Sequence, residues 1–369
     1  MDNATTSLER RDALVGRLFE SALNAMEICC VYVGDRLGLY RAIRDIGPAT
    51  ARELAAATGI NERYAREWLE QQAVTGIFET DPAADPEIRR YSLSAGHAEV
   101  LLDPDSLSWF APVIQLVVGL TGSLPALLDA FRTGAGISWS GFGPDVREGQ
   151  AGQNRPAFLN LLGTQWLPAI PDLHTRLLGD PPARVADVAC GAGWSSIGIA
   201  RAYPKARIDG FDLDEASVGL ARANVEEAGL ADRVTMSVRD AGDEALAGRY
   251  DLVTIFESLH DMSRPVDVLR KMRGLLAPGG TVIVMDERVA EAFTAPGDAV
   301  ERMMYGFSVL CCLPCGLADR PSAGTGTVMR PATLRRYALE AGFRDVEILP
   351  ISHDIFRFYR LHASGPAGI

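Results

Sequence analysis

The apolar positions of this chain change rhythm once, near residue 184. Before that point they recur at helical spacing. Residues 12–32 carry Leu14, Leu18, Ala22 and Met26 in one row and Val15, Phe19 and Leu23 in the next, which predicts a helix with a wide apolar face. Such a face on a first helix needs a partner, in its own domain or on a second subunit. In residues 47–77, Thr50 and Glu53 make a capping box, Leu54 and Ala55 follow on the buried side, and Gly59 stops a short helix. Asn61 caps the next, which carries Tyr64, Ala65, Trp68, Leu69 and Gln72. A turn at Asp81-Pro82 and a short strand around Arg90–Leu93 complete the pattern of helix, tight turn, helix and two-stranded wing, a winged helix.

Residues 98–180 read as helices broken at Pro104, Pro112, Pro125 and the glycine-rich run 134–143. Beyond 184, the runs 185–189, 207–213, 233–238, 250–256 and 281–287 alternate with helical stretches at 194–202, 215–228, 265–276 and 331–341. That alternation predicts an α/β, Rossmann-like, mostly parallel sheet with helices on both faces. Two closing strands, 346–351 and 354–360, are separated only by Ser352 and His353 and predict an antiparallel hairpin. Three segments result: an N-terminal winged-helix domain at 1–100, a helical connecting and lid region at 101–180, and an α/β domain at 181–369.

Composition narrows the class. The 369 residues are 47% hydrophobic and 23% charged, which excludes a disordered or fibrous chain. The net charge of -12 disfavours phosphate backbones as partners. No run approaches eighteen apolar residues, and the polar start MDNATTSLERRD is no secretory signal; the expectation is a cytoplasmic protein with six free thiols.

The chemistry gathers after the first strand of the second half. Cys190-Gly191-Ala192-Gly193-Trp194 leads into a helix, so glycines let a ligand approach the backbone where helical N–H groups are free. A dinucleotide fingerprint would want glycine at 196, where this chain has Ser196. Asp187 lies inside the first strand, Asp212 ends the second where a carboxylate can accept two ribose hydroxyls, and Asp240 follows the third. The fourth strand ends in Glu257-Ser258-Leu259-His260-Asp261.

DVACGAG, GFDLD, VRDA, YDLVTIFESLHD and LLAPGGTVIV, in that order and spacing, resemble the motifs of class I S-adenosylmethionine-dependent methyltransferases over about residues 183–362. The whole chain resembles a bacterial subgroup with an N-terminal winged-helix domain used for dimerisation and to roof the active site. The resemblance implies a seven-stranded sheet with an antiparallel last strand, S-adenosylmethionine as cofactor, a homodimer and a small-molecule acceptor, with O-methylation favoured. It also implies that Asp187, Gly191 and Gly193 line the methionine end of the cofactor. Asp212 would hold the ribose with Leu213 beside the adenine, Asp240 and Ala241 would meet the adenine edge, and Phe256 would lie near the sulfonium. Ala189 stands where the family often has glycine.

A hydroxyl acceptor benefits from a general base, and His260, at the carboxyl end of the fourth strand, is the first candidate among His97, His174, His260, His353 and His362. Glu257 is the alternative. Phe158 and Trp166 before the sheet, and Met303, Tyr305 and Phe307 after the fifth strand, are the expected pocket walls. Cys311, Cys312 and Cys315 share one face of an ideal helix, which raises thiol or metalloid chemistry; buried thiols acting as small apolar groups are the simpler account, and no metal is expected. Two other readings stay open: a winged-helix regulator that senses S-adenosylmethionine, and the same fold used for non-methylating chemistry. Against the regulator, residues 51–80 hold Arg52, Arg63 and Arg66 but also Glu53, Glu62, Glu67, Glu70 and Glu79.

Overall fold

The computed structural model describes residues 2–240 and 248–363. The chain divides into two compact units, one running to Val118 and taking in Glu148–Gln153, the other formed by Gly119–Arg147 and by Asn154 onward.

The first unit opens with one long helix, α1 (Asp2–Arg36). After it come α2 (Leu39–Ile46), α3 (Ala51–Thr58), α4 (Glu62–Val74), the two-residue strands β1 (Glu79–Thr80) and β2 (Tyr91–Ser92), and α5 (Ala95–Leu102). The wing is antiparallel, with Glu79 opposite Ser92. The capping box at Thr50 and Glu53 and the Asn61 cap both form as their side chains dictate. Tyr40, Trp68 and Phe78 pack around the centre of this unit, Trp68 edge to face with both others and its ring centroid 5.1 Å from that of Tyr40. Tyr64 instead faces outward.

In the second unit, helices α6 (Ala111–Thr121, only its last turn), α7 (Leu124–Thr133), α8 (Pro144–Ala157, from Pro144 to Arg147 and from Asn154 on) and α9 (Pro171–Leu178) precede the sheet. Its strands are β3 (Arg184–Val188), β4 (Arg207–Asp212), β5 (Val234–Val238), β6 (Tyr250–Phe256), β7 (Leu276–Glu287), β8 (Asp345–Ile348) and β9 (Phe356–His362). They lie in the order β5-β4-β3-β6-β7-β9-β8. β9 is antiparallel to both neighbours, and the rest are parallel. The expected hairpin is there but its turn is longer: β8 ends at Ile348, with Leu349 N still donating to the Phe358 carbonyl, β9 starts at Phe356, and His353 holds the turn by accepting from the N–H groups of Ile355 and Phe356.

The chain order reverses between β3 and β6, and ligands in open parallel sheets bind beyond the carboxyl ends at such a point. Two helical segments flank that region and both widen into π-turns: Phe158–Trp166, continuing α8, and Ser308–Cys312, between α13 (Ala299–Phe307) and α14 (Leu313–Gly316). The first lies directly on α10 (Trp194–Ala202), the helix that follows β3. A Cβ on Gly198 would sit 2.3 Å from the Phe158 carbonyl oxygen, and one on Gly163 would sit 2.2 Å from Ala202 Cβ. Glycine at both positions is what allows that approach.

Candidate active site

The loop after β3 is built from beneath. Asp187, 1% exposed, accepts from Ser195 Oγ (2.6 Å), Ser196 Oγ (2.6 Å) and Thr254 Oγ1 (2.8 Å). It ties the start of α10 and the middle of β6 to β3, so it shapes the loop from inside the sheet and does not face outward. Burial raises its carboxyl above the usual range, even against those three donors. Ala189, at φ 54, and Gly191, at φ 51, both turn left-handed. A Cβ on Gly191 would meet nothing within 4 Å, so its backbone is open to a ligand. Gly193 is also left-handed, at φ 81, and a Cβ there would lie 2.9 Å from Met236 Cε and 3.1 Å from Ala221 Cβ.

Asp212 joins the loops. Its Oδ2 accepts from Gly191 N (2.8 Å), its Oδ1 from Asp214 N (2.9 Å), and its own carbonyl accepts from Arg239 N (2.8 Å). Each carboxylate oxygen keeps a lone pair for a further donor. Leu213 beside it is 65% exposed, an apolar side chain left open at the place expected for an adenine ring. Asp240 follows β5 close by and is exposed; Ala241 lies outside the described residues. These features fit a nucleoside: an open glycine backbone, a fixed carboxylate with spare acceptor capacity and an exposed apolar wall.

Beyond β6 the chemistry changes. His260 is 2% exposed and its Nδ1 lies 2.9 Å from Asp286 Oδ1 at the end of β7. Burial alone would lower the imidazole pKa, but the Asp286 carboxylate and the adjoining Cys312 thiol outweigh it and hold it well above the usual value. The other four histidines have structural partners: His97 with the Ile77 carbonyl, His174 with Tyr203, His353 in the turn before β9, and His362 with Glu347. Glu257 adopts φ 51, a strained conformation for a non-glycine residue. Burial lifts its carboxyl to about 7 although the Asn154 side chain donates to it, and burial lifts Asp261 to about 6. Glu287, at the last position of β7, is pushed well above the usual range by burial and by Glu257.

The expected pocket residues divide. Phe158 stacks on Phe256 with ring centroids 5.7 Å apart, joining the first π-segment to the end of β6. Trp166 is 2% exposed and packs 4.9 Å from Phe358 beneath the sheet, in the core. On α13 the inward positions are Glu301 and Met304, continued by Ser308 and Cys311; Met303 and Tyr305 lie off that face, each 39% exposed, and Phe307 is partly buried. Glu301 is anchored by Arg330 at 3.0 Å. The widened turn at 308–312 holds Cys312 against both His260 and Cys311. Among the described residues no three His, Cys, Asp or Glu side chains are placed to hold a metal ion.

Sequence reasoning did not single out Asp286, Glu287 or Asn154, and it noted Cys312 only as one of three thiols, not as a neighbour of His260. The signal for the first two was present: an apolar strand ending in two acids, in parallel with β4 ending in Asp212 and β6 running into Glu257.

A family model described as a methyltransferase domain matches residues 180–318, and one described as an Rv2258c-like winged HTH domain matches residues 25–102. The ubiquinone biosynthesis O-methyltransferase of Aromatoleum aromaticum is 31% identical over 198 residues, covering 53% of this chain and 76% of that protein. Among solved structures, a mitomycin 7-O-methyltransferase superposes with a TM-score of 0.72 at 21% identity, over 96% of this chain and 99% of that one. Human N-acetylserotonin methyltransferase in complex with S-adenosylmethionine gives 0.69 at 16% identity, over 95% and 98%. At such identities these two likenesses are ones of fold.

Proposed function

We propose, for a chain that belongs to the S-adenosylmethionine-dependent methyltransferases and carries an N-terminal winged-helix domain, that it methylates an oxygen of a small-molecule acceptor with His260 as general base. The observation that carries this reading is the buried contact between His260 and Asp286, at 2.9 Å, beside the point where the sheet reverses its order. Gly191, Gly193, Asp212, Leu213, Asp240 and Phe256 would hold the cofactor, which when bound supplies an electrophilic methyl group on a sulfonium. Asp286 accepts from the Nδ1–H of His260, which fixes the tautomer and leaves Nε2 to take the acceptor's hydroxyl proton as its oxygen attacks. Phe158 and Phe256 form an apolar wall that excludes water, and rate beyond proton removal comes from alignment.

The test supplies methyl-labelled S-adenosylmethionine with a panel of small phenols and catechols. Label recovered as a methyl ether, and lost in His260→Ala while calorimetric cofactor binding persists, supports the reading. Bound cofactor with no transfer to any hydroxyl moves the chain toward a sensing role. For that role the winged helix is poorly suited: Arg63 pairs with Glu67, Arg66 with Glu87 and Arg89 with Glu70, so these three cations already have acidic partners.

Assembly as a homodimer is part of the same proposal. Val15, Leu18, Phe19 and Met26 on α1 are 57–61% exposed, an apolar row that a second copy of the chain would cover. No single helix among the described residues is long and apolar enough to cross a membrane.

A further inference from the structure

Arg147, in the first turn of α8, has no part in the chemistry described above, yet it makes a shielded contact at the cofactor end of the site. Its Nε donates to Asp214 Oδ2 (2.6 Å) and its Nη2 to Asp214 Oδ1 (3.3 Å), with the two side chains 13% and 11% exposed. A forked contact of this kind fixes the plane of a carboxylate as well as its distance. The guanidinium is offered from a firm base. Pro144 opens the helix and Val146 is fully buried. A Cβ on Gly119, near the end of α6, would lie 2.9 Å from Asp145 Cβ and 3.0 Å from the Val146 nitrogen, so the two helices meet there backbone to backbone.

Asp214 passes the constraint on to Asp212. Its carboxylate caps α11 (Glu215–Glu227), with Oδ2 accepting from Ser217 N (2.9 Å) and Ser217 Oγ (2.7 Å). Its backbone N–H donates to Asp212 Oδ1 (2.9 Å), while Gly191 N holds Asp212 Oδ2 (2.8 Å). One oxygen of Asp212 is therefore set by the glycine loop and the other by a residue that Arg147 grips. Charge works in the same direction. Burial raises the Asp212 carboxyl above the usual range and the negative charge of Asp214 adds to that, an effect that a guanidinium on Asp214 offsets.

We propose that Arg147 is a positioning residue for the cofactor: by bracing Asp214 it holds the Asp212 carboxylate in the orientation that accepts the ribose hydroxyls. It acts through two carboxylates, so its effect belongs to cofactor affinity and not to the rate of transfer from bound cofactor. The proposal rests on the assignment of Asp212 to the ribose.

Calorimetry on the full-length protein tests it with S-adenosylhomocysteine and with its 2′,3′-dideoxy counterpart, which lacks the hydroxyls that Asp212 would accept. In Arg147→Met, affinity for S-adenosylhomocysteine is expected to fall roughly ten- to thirtyfold, against less than about threefold for the dideoxy ligand. That variant leaves a largely buried carboxylate without its cation, so Arg147→Met combined with Asp214→Asn is measured beside it. Asn keeps the cap on α11 and removes the charge, and the same unequal loss is expected. Equal losses for the two ligands in either variant mark a plain structural tie and overturn the proposal, as does undiminished affinity. The unaltered protein and Asp212→Ala are the reference. If the unaltered protein binds both ligands alike, or Asp212→Ala keeps the preference for the hydroxylated one, the ribose assignment itself fails and the role of Arg147 falls with it.

Discussion

The first helix and the ends of β6 and β7 invert the usual rule in opposite directions. On α1, Val15, Leu18, Phe19 and Met26 stand in solvent; at the sheet, His260, Asp286 and Glu287 are no more than 7% exposed. Each arrangement has a cost that the isolated chain does not recover: exposed apolar area in one case, desolvated charge in the other. The remedies differ in size. A row of side chains along a helix needs another protein surface, whereas a few polar atoms beside a glycine loop need a small molecule or a proton. Covering α1 would change the assembly, and filling the pocket would change the chemistry.

The comparison breaks first at His260. His260→Ala should lower methyl transfer by about 10²–10⁴-fold with cofactor affinity unchanged, as single-turnover rates and calorimetry would show. Near-normal transfer would make Glu257 the base, or leave alignment as the source of rate. On the other side, Leu18→Asp with Phe19→Asp should weaken self-association by about 1.5–3 kcal/mol for each side chain. Sedimentation velocity at micromolar concentration should then show a dimer become a monomer without loss of helical signal; an unaltered chain that already sediments as a monomer ends the proposal for α1.

Asp212→Ala separates the cofactor half of the site from the base. Loss of a charge-assisted pair of hydrogen bonds should cost about 1.5–3 kcal/mol of affinity for S-adenosylhomocysteine, and unchanged affinity refutes the ribose assignment. The smallest effect concerns proton affinity. Because Asp286 raises the imidazole pKa, the His260 ring should titrate above 6.5 by NMR, and Asp286→Asn should bring the midpoint down. The sign extends to rate: His260 is a base only when neutral, so turnover should rise with pH through that raised midpoint and reach its plateau earlier in Asp286→Asn.

What could be read without coordinates was whatever is local in sequence. The capping box at Thr50, the glycine loop at 190–193 and the carboxylate ending β4 depend on neighbours a few residues away. His260 was legible because it follows a strand end. Its partner was not: Asp286 meets it only through the parallel register that sets Phe256 opposite Met285. The aromatics failed for another reason. Spacing identified Trp166, Met303 and Tyr305 as apolar or aromatic positions, but not which way a widened helix turns them, and the structure sends Trp166 into the core and leaves Met304, not Met303, facing inward.

Those widened turns also bear on how the family could vary. Each residue in an α-helix advances the chain by about 100°, so a turn that holds one residue too many is a rotation stored in the backbone. Deleting a single residue between Phe158 and Trp166, or between Ser308 and Cys312, would let the helix relax to ordinary geometry and swing everything after it around the axis. Cys312 would leave His260, and a different side chain would take its place. The two positions differ in what such a change would reach: at 308–312 it alters what faces His260, whereas at 158–166 it also disturbs the close contacts with α10 and the packing of Trp166 on Phe358.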